Sequence, residues 1–501
     1  MEDKSKIFTF SENGRKEYCA SVVRIGELHP IDGSDFLCRT VVDGFDVVVR
    51  KDEVSTGEVM LYAQNETMLN SGFLSANNLY EIGEYERNSN KKEVGSLIND
   101  GKKDEAKRLV GFFNKHGRVK MIRLRGCPSI GFLFTKEALS KWKPAIEEVN
   151  LEEYVGKDFD TVCGELFIKV YMPPLPSVTQ KKMSRQSRYN KRLNRFDRIS
   201  PGEFVFHYDT DQLNKNVEKI SPYDKICVSV KVHGTSGIFS NIKVRKPHRL
   251  NAAQVILNKS IRKRVRNGSD KRLLSKLAPK YTVGYGNVYS SRGVIKNQYI
   301  NKTVSSGFYG VDVWADVNKW LFPFLSKGMC VYGEIVGYIT GTDKFIQKGY
   351  DYRCESGANM FMPYRITQET EDGRRAEWEV EDVYRWTVSL IEKNTNLSKR
   401  LMPIRILYSG KAMDMYPEIA TSERWHEDFL SMMKNDRNRL GMEENEPMCA
   451  NRVPREGVCL RISGDSIAEC FKLKTDAFRM REQKEIDEGN IDIESAASYS
   501  I

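Results

Sequence analysis

The sequence contains no apolar run approaching the roughly 18 residues that span a bilayer, so a helical membrane protein is not expected. Its opening residues, MEDKSKIFTF, lack the apolar core of a secretory leader. Ten cysteines are scattered from Cys19 to Cys470 and no two form a C-x-x-C pair, which argues against a zinc site and a disulfide framework. Histidine is scarce, and His29, His116, His207, His248 and His426 show no metal-ligand spacing. Internal repeats are absent. The chain therefore reads as cytoplasmic and reduced, with a monomer as the default state.

What is present is enough apolar residue, 40% of 501 positions, to build packed cores in two to four domains. Positive charge is concentrated. Residues 181–199 carry eight Lys/Arg against one Asp, and residues 243–280 carry thirteen against Asp270 alone. Together these exceed the net charge of +11, so the rest of the chain is net negative. Such clustering suits a phosphate-backbone partner, although solvated surface gives the same pattern.

Residues 17–70 alternate as short strands, with Asp43-Gly44 between FLCRTVV and FDVVVR as a hairpin signal. Short strands without intervening helices predict a small β-barrel over 1–140, carrying a polar insert near 88–118. Residues 141–172 read as a connector packed on a neighbour. MPPLPS (172–177) is a stiff spacer, and the basic run follows it, so 173–202 is the domain boundary and 141–202 as a whole the connector and basic linker. From 203 to 475 strand and helix patterns alternate. The segment 476–501 is a charged tail, helical at first.

The candidate chemistry begins at CVSVKVHGTSGIF (227–239), where strand alternation reaches Lys231 and Gly234 breaks it. A lysine ending a strand before a glycine turn can serve as a nucleophile if burial or nearby cations lower its pKa, and the glycine lets backbone approach a phosphate. Glu334 in VYGEIVGY and Glu456 in VPREGVCLRI sit at buried strands, where carboxylates are costly unless they meet a cation or hydroxyl. In ECFKLKTDAF, Lys472 and Lys474 are two apart and share a strand face. Arg292 occupies a polar turn in YSSRGVIKN. Nucleophilic lysine, carboxylates for a divalent metal, and cations for a transferring phosphate suit nucleotidyl transfer.

In order, Lys231-Val-His-Gly, Ser-Arg292-Gly, Tyr-Gly-Glu334, FMPYRI (361–366), Arg-Glu456-Gly and Lys472-Leu-Lys474 resemble the motif ladder of the covalent nucleotidyltransferases. Within them the chain is similar to the ATP-dependent RNA ligases with an N-terminal oligonucleotide-binding (OB) module, the Naegleria-type ligases. VRIGELHPIDGSDFLCRTVVDGFDVVVRKDE and IRLRGCPSIGFLF resemble that module, and FHYDTDQL (206–213) resembles the stretch upstream of the lysine.

The resemblance implies an α+β protein with an OB-like β-barrel over 1–140. A nucleotidyltransferase (ATP-grasp-like ligase) domain of antiparallel sheets and helices would occupy 203–475. It implies that Lys231 attacks ATP and carries AMP, with Lys472 and Lys474 on the α-phosphate. Glu334 would contact the ribose or organise Mg2+ or Mn2+, and Glu456 would hold metal-bound water. Arg292 would bind a phosphate, and Tyr364 or Phe361 would stack on adenine. AMP would then pass to an RNA 5′-phosphate before attack by a 3′-hydroxyl, as in RNA repair. His233 departs from the pattern, because many relatives carry Asp there. DNA ligases and GTP-dependent capping enzymes share the lysine chemistry but usually place the OB module after the catalytic domain, and only 27 residues follow Lys474. A non-catalytic RNA-binding protein is the alternative of another class.

Overall fold

The computed structural model describes residues 7–12, 14–172, 199–200, 202–206, 208, 210–247, 251–268, 271–277, 281–297, 309–464 and 467–488. Nearly all of the basic run 181–199 and most of the proline spacer lie outside these residues, as do His207, Asp209 and 489–501. Among the described residues, no helix is long and apolar enough to cross a membrane.

The N-terminal half is built from short antiparallel strands. Phe132–Phe134, Val59–Ala63, Ala20–Arg24 and Asp158–Phe159 form a four-stranded sheet, and His29–Pro30, Leu37–Val42 and Phe45–Arg50 form another of three. Asp43 (φ 50°) and Gly44 (φ 71°) make the two-residue turn between Val42 and Phe45, as the Asp-Gly signal predicts. The predicted closed barrel is corrected to several separate small sheets among the described residues. Strands of two to six residues leave the ladder interrupted, and helices at 71–108 intervene between its parts. The stretch read as a connector contributes strands here. Asp158–Phe159 pairs with Ala20 and Ser21, Thr161–Val162 with Phe8 and Thr9, and Ile168–Val170 with Thr67–Leu69.

The second half contains two five-stranded sheets. The first runs Asp211–Gln212, Cys470–Lys474, Gly457–Ile462, Lys225–Lys231, Ile406–Lys411; only the Asp211–Gln212 pairing is parallel. The second runs Tyr281–Ser291, Thr235–Pro247, Met329–Gly337, Asn359–Glu369, Arg375–Glu377. Helices Val313–Leu321 and Val380–Lys393 cover the second sheet, and Trp425–Asn435 packs on the first. This is a mixed α+β architecture with predominantly antiparallel sheets.

Among the described residues several contacts fasten the halves, two of them central to the site. At the Asp43-Gly44 turn, Asn214 Nδ2 donates to the Gly44 carbonyl (2.7 Å) and Lys434 pairs with Asp46 (2.7 Å). A side chain at 44 would meet the Asn214 carbonyl at 2.6 Å, so both the turn and the docking require glycine. The second fastening is the helix Asp476–Asp487, capped by Thr475, whose hydroxyl accepts from the Phe478 amide. Gln483 exchanges two hydrogen bonds with the Met121 backbone, and Asp487 pairs with Arg118 and Lys120. What reads in sequence as a tail is, as far as Glu488, a clasp between the halves.

Candidate active site

The lysine motif sits where the chain leaves one sheet for the other. Lys231 ends its strand in the first sheet, and Thr235 begins the long strand of the second. Gly234 makes the crossing possible, since a Cβ there would lie 2.5 Å from the Ile335 carbonyl. The Gly234 carbonyl accepts from Gln347 Nε2 at 2.8 Å, and the His233 amide donates to the Tyr352 hydroxyl at 2.7 Å. The turn is therefore held from both sides.

Strand register then lays out the cavity floor in three rows. Lys231 pairs with Gly457 and Gly457 with Lys474; Ser229 with Cys459 and Cys459 with Lys472; Cys227 with Arg461 and Arg461 with Cys470. Gly457 has φ 148°, and a Cβ would come within 2.0 Å of the Leu473 carbonyl. The space between the Lys231 and Lys474 side chains is thus kept open by backbone necessity. Across the cavity, Glu334 lies opposite Ser236 in the second sheet.

Seven of the eight sequence-derived candidates line this one cavity: Lys231, Arg292, Glu334, Tyr364, Glu456, Lys472 and Lys474. Phe361 does not. It is completely buried, edge-on to Phe239 (4.9 Å between centroids), in the core beneath the second sheet. Strand alternation accounts for it: Phe361 and Tyr364, three residues apart, fall on opposite faces. Beyond that, Gly333 pairs with Pro363 and Tyr332 with Arg365, leaving Tyr364 as the extra residue of a bulge, so that Tyr364 and Arg365 both line the cavity.

The electrostatics are those of a site with surplus positive charge. Lys231 Nζ is 2.8 Å from Glu456 Oε1, and His233 Nδ1 is 3.6 Å from Glu456 Oε2. Burial opposes both charges, but Lys231 and then His233 hold the Glu456 carboxyl far below its ordinary range. Reciprocally, Glu456 outweighs the burial of Lys231 and raises its amine. Lys474 is gripped by both oxygens of Glu482 (2.8 and 2.9 Å). Lys472 differs: burial, followed by the charges of Lys474, Lys231 and Arg292, outweighs Glu17 and lowers its pKa. Its nearest ion-pair partner, Glu17, is 3.9 Å away. A buried ammonium with this environment is ready for an anion.

Several lining residues are not evident from the sequence. Arg15, Glu17, Tyr18 and Glu66 come from the N-terminal half, and Glu482 from the clasp helix. Cys459, Arg461 and Cys470 also line the cavity, and their i, i+2 spacing from Lys472 and Gly457 is the signal that would have found them. For Arg15, Glu17 and Glu66 no local pattern exists, because their place depends on how the halves dock.

No family model matches the chain, and no curated protein does. Among solved structures it is similar to a Naegleria gruberi RNA ligase with PPi, at 16% identity and TM-score 0.47, covering 94% of this chain and 99% of that one. It is also similar to mutants of that ligase with AMP and Mn (15%, TM-score 0.48, 94% and 99% covered) and with ATP and Mn (14%, TM-score 0.46, 93% and 99% covered).

Proposed function

We propose that the chain is an ATP-dependent RNA ligase acting through a lysine–AMP intermediate. The observation that carries this reading is the convergence of seven residues, spread from 231 to 474, on one cavity floored by Lys231, Lys472 and Lys474. In this reading Lys231 first gives up a proton, against the Glu456 pairing that raises its pKa; the neutral Nζ then attacks the α-phosphorus of ATP, the bond to pyrophosphate breaks, and a second proton leaves the nitrogen to give a phosphoramidate. Lys474, across the open space at Gly457 from Lys231, and Lys472, in the next row opposite Cys459, neutralise the phosphate charge that grows in the transition state. Arg292 binds a further phosphate, and Tyr364 stacks on the base. AMP then passes to an RNA 5′-phosphate, and a 3′-hydroxyl displaces it.

A divalent cation fits the donor set in part. Glu456 Oε2 is buried with no hydrogen-bond partner among the described residues, and Glu334 is buried across the cavity. No cluster of three protein ligands forms among those residues. Mg2+ or Mn2+ would therefore be held by Glu456 and Glu334 together with substrate oxygens and water, supplying positive charge at the phosphates. The N-terminal half, read as an OB-like module, would guide RNA towards the cavity it helps to line. The basic helix Ala252–Arg266 would lie along the RNA backbone. None of the ten cysteines is in a disulfide, which favours a reducing, cytoplasmic setting.

The test uses α-labelled ATP with Mg2+ or Mn2+, with GTP in parallel and Lys231→Ala as the control. A denaturation-stable adduct from ATP that disappears in the variant, followed by sealing of nicked RNA in preference to DNA, is the expected result. An adduct from GTP alone would move the reading to capping. No adduct from either, once pyrophosphate is removed, would leave a nucleic-acid-binding protein.

A further inference from the structure

The third row of the cavity floor has no part in the lysine chemistry. Arg461 is buried (7% exposed), and its Nε and Nη1 have no hydrogen-bond partner among the described residues. Its nearest carboxylate, Glu377, is 3.5 Å away and already taken. Glu377 Oε1 accepts from Arg365 Nε at 2.9 Å, and Oε2 accepts from the Ala468 amide at 3.0 Å. Arg365 is itself buried, with its guanidinium 4.7 Å from the centre of the Tyr208 ring. Two buried guanidiniums therefore share one carboxylate, leaving one uncompensated positive charge in a low-dielectric wall. The residue paired with Arg461 on the neighbouring strand is Cys470, and Cys459 lies diagonally beside it.

We propose that Cys470, assisted by Cys459 and activated by Arg461 and Arg365, is a reactive thiol site that takes soft electrophiles and peroxides entering through the cavity. The thiolate supplies the negative charge that the arginine pair lacks. The sulfur's pKa is pulled below that of an ordinary thiol, first by the Cys459 S–H donating to it and then, against the opposing effect of burial, by Arg461 and Arg365. The other charged groups around it point the same way or away. Lys472, two residues along the strand, is a cation on the same face, whereas Asp211 lies opposite Phe471 and pairs with Lys219 at 3.5 Å.

Cys459 lies diagonally across from Cys470 and opposite Lys472. A haloacetamide is attacked by the Cys470 thiolate to give one thioether and release halide. With hydrogen peroxide the sulfur takes one oxygen and hydroxide leaves, giving a sulfenic acid.

The experiment is iodoacetamide labelling of the full chain from pH 5.5 to 8.5, read residue by residue by peptide mass. N-acetylcysteine labelled in the same tube serves as the reference thiol. Cys470 should label at a nearly level rate from pH 6 to 8, while the reference rises roughly tenfold per unit as an ordinary thiol does. Arg461→Gln should restore the steep rise at Cys470, and Arg461→Lys should keep much of the level profile. A rate at Cys470 that climbs in parallel with the reference, or no labelling where the reference reacts, would overturn the assignment in the unmutated protein, whatever the variants do. Neither result touches the adenylylation test, which reads Lys231.

Discussion

Replacing Lys231 with methionine should do two separable things. Chemically, it removes the atom that would carry AMP, so adduct formation should fall below detection. Physically, it leaves Glu456 buried without its main counter-ion. Charges 2.8 Å apart attract by about 6 kcal/mol at an effective dielectric near 20. Measured losses on removing one partner of a buried pair are smaller, about 3–5 kcal/mol, because the stranded charge relaxes or takes up a proton. The Glu456 side chain is 5% exposed but that of Lys231 is 23%, so water reaches the pair from one side. The lower end, about 3 kcal/mol, is therefore expected, or about 6 °C in Tm at roughly 2 °C per kcal/mol for a large domain.

The pH dependence carries the sharper test. The Glu456 carboxyl is depressed on folding, so its contribution is present above the unfolded value near 4.3 and lost as pH falls towards its folded value. The Lys231 amine is raised, so its contribution is complete below about 10 and fades only in strong base. The stability gap between wild type and Lys231→Met should thus be level from pH 6 to 9 and shrink on acidification below about 4. Thermal unfolding across that range, with adduct formation measured on the same samples, reads both effects. A variant as stable as wild type at pH 7.5, or a gap indifferent to acid, would refute the ion-pair reasoning even if the adduct were lost.

Other outcomes follow from the same geometry. Tyr364→Ala should raise the KM for ATP by about tenfold or more with a small change in Tm, since a stacked base is worth roughly 1–3 kcal/mol. Phe361→Ala, by contrast, should cost about 3–5 kcal/mol of stability as a core cavity, and an unchanged Tm would contradict its burial. His233→Asp places a second carboxylate beside Glu456 and should lower the half-saturating Mg2+ or Mn2+ concentration for adduct formation; a metal titration unchanged from wild type would remove His233 from the metal's surroundings. Reversing Lys259, Arg262 and Lys263 to glutamate should weaken RNA binding and flatten its salt dependence by about 0.7–0.9 in log–log slope per lost phosphate contact. Equal slopes would make that helix ordinary solvated surface.

The elements that were legible in the sequence are those whose physics is local. The Asp43-Gly44 turn needs positive φ at both residues, and the dipeptide announces it. Lys472 and Lys474 share a face because strand side chains alternate, wherever the strand is placed. Alternation also separates Phe361 from Tyr364, three residues on and therefore on the opposite face. Arg365 shows where this logic stops: FMPYRI looks continuous, but the bulge that brings Arg365 to the cavity beside Tyr364 arises from pairing with Tyr332 and Gly333, a partner strand some thirty residues away. The barrel expectation failed for a related reason, because alternation fixes which face is buried and not whether the last strand closes on the first.

The least legible part is the docking of the halves, and it bears most on function. Glu66 is a carboxylate in the N-terminal half at positive φ, with nothing in its neighbourhood to mark it. It nevertheless lines the cavity, where Lys474, then Arg479, Arg118 and Lys472 outweigh its burial and lower its pKa. Glu482 grips Lys474 from a helix that reads as a charged tail. These carboxylates balance Lys474, whereas among the described residues the ion-pair partner of Lys472 is the more distant Glu17, at 3.9 Å, so the two lysines that look equivalent in Lys-Leu-Lys are not. Lys474 is already neutralised by the clasp, whereas Lys472 gains most from an arriving phosphate. The tail and the N-terminal half therefore belong to the site's charge balance, and a catalytic domain trimmed to residues 203–475 would present a differently charged cavity from that of the whole chain.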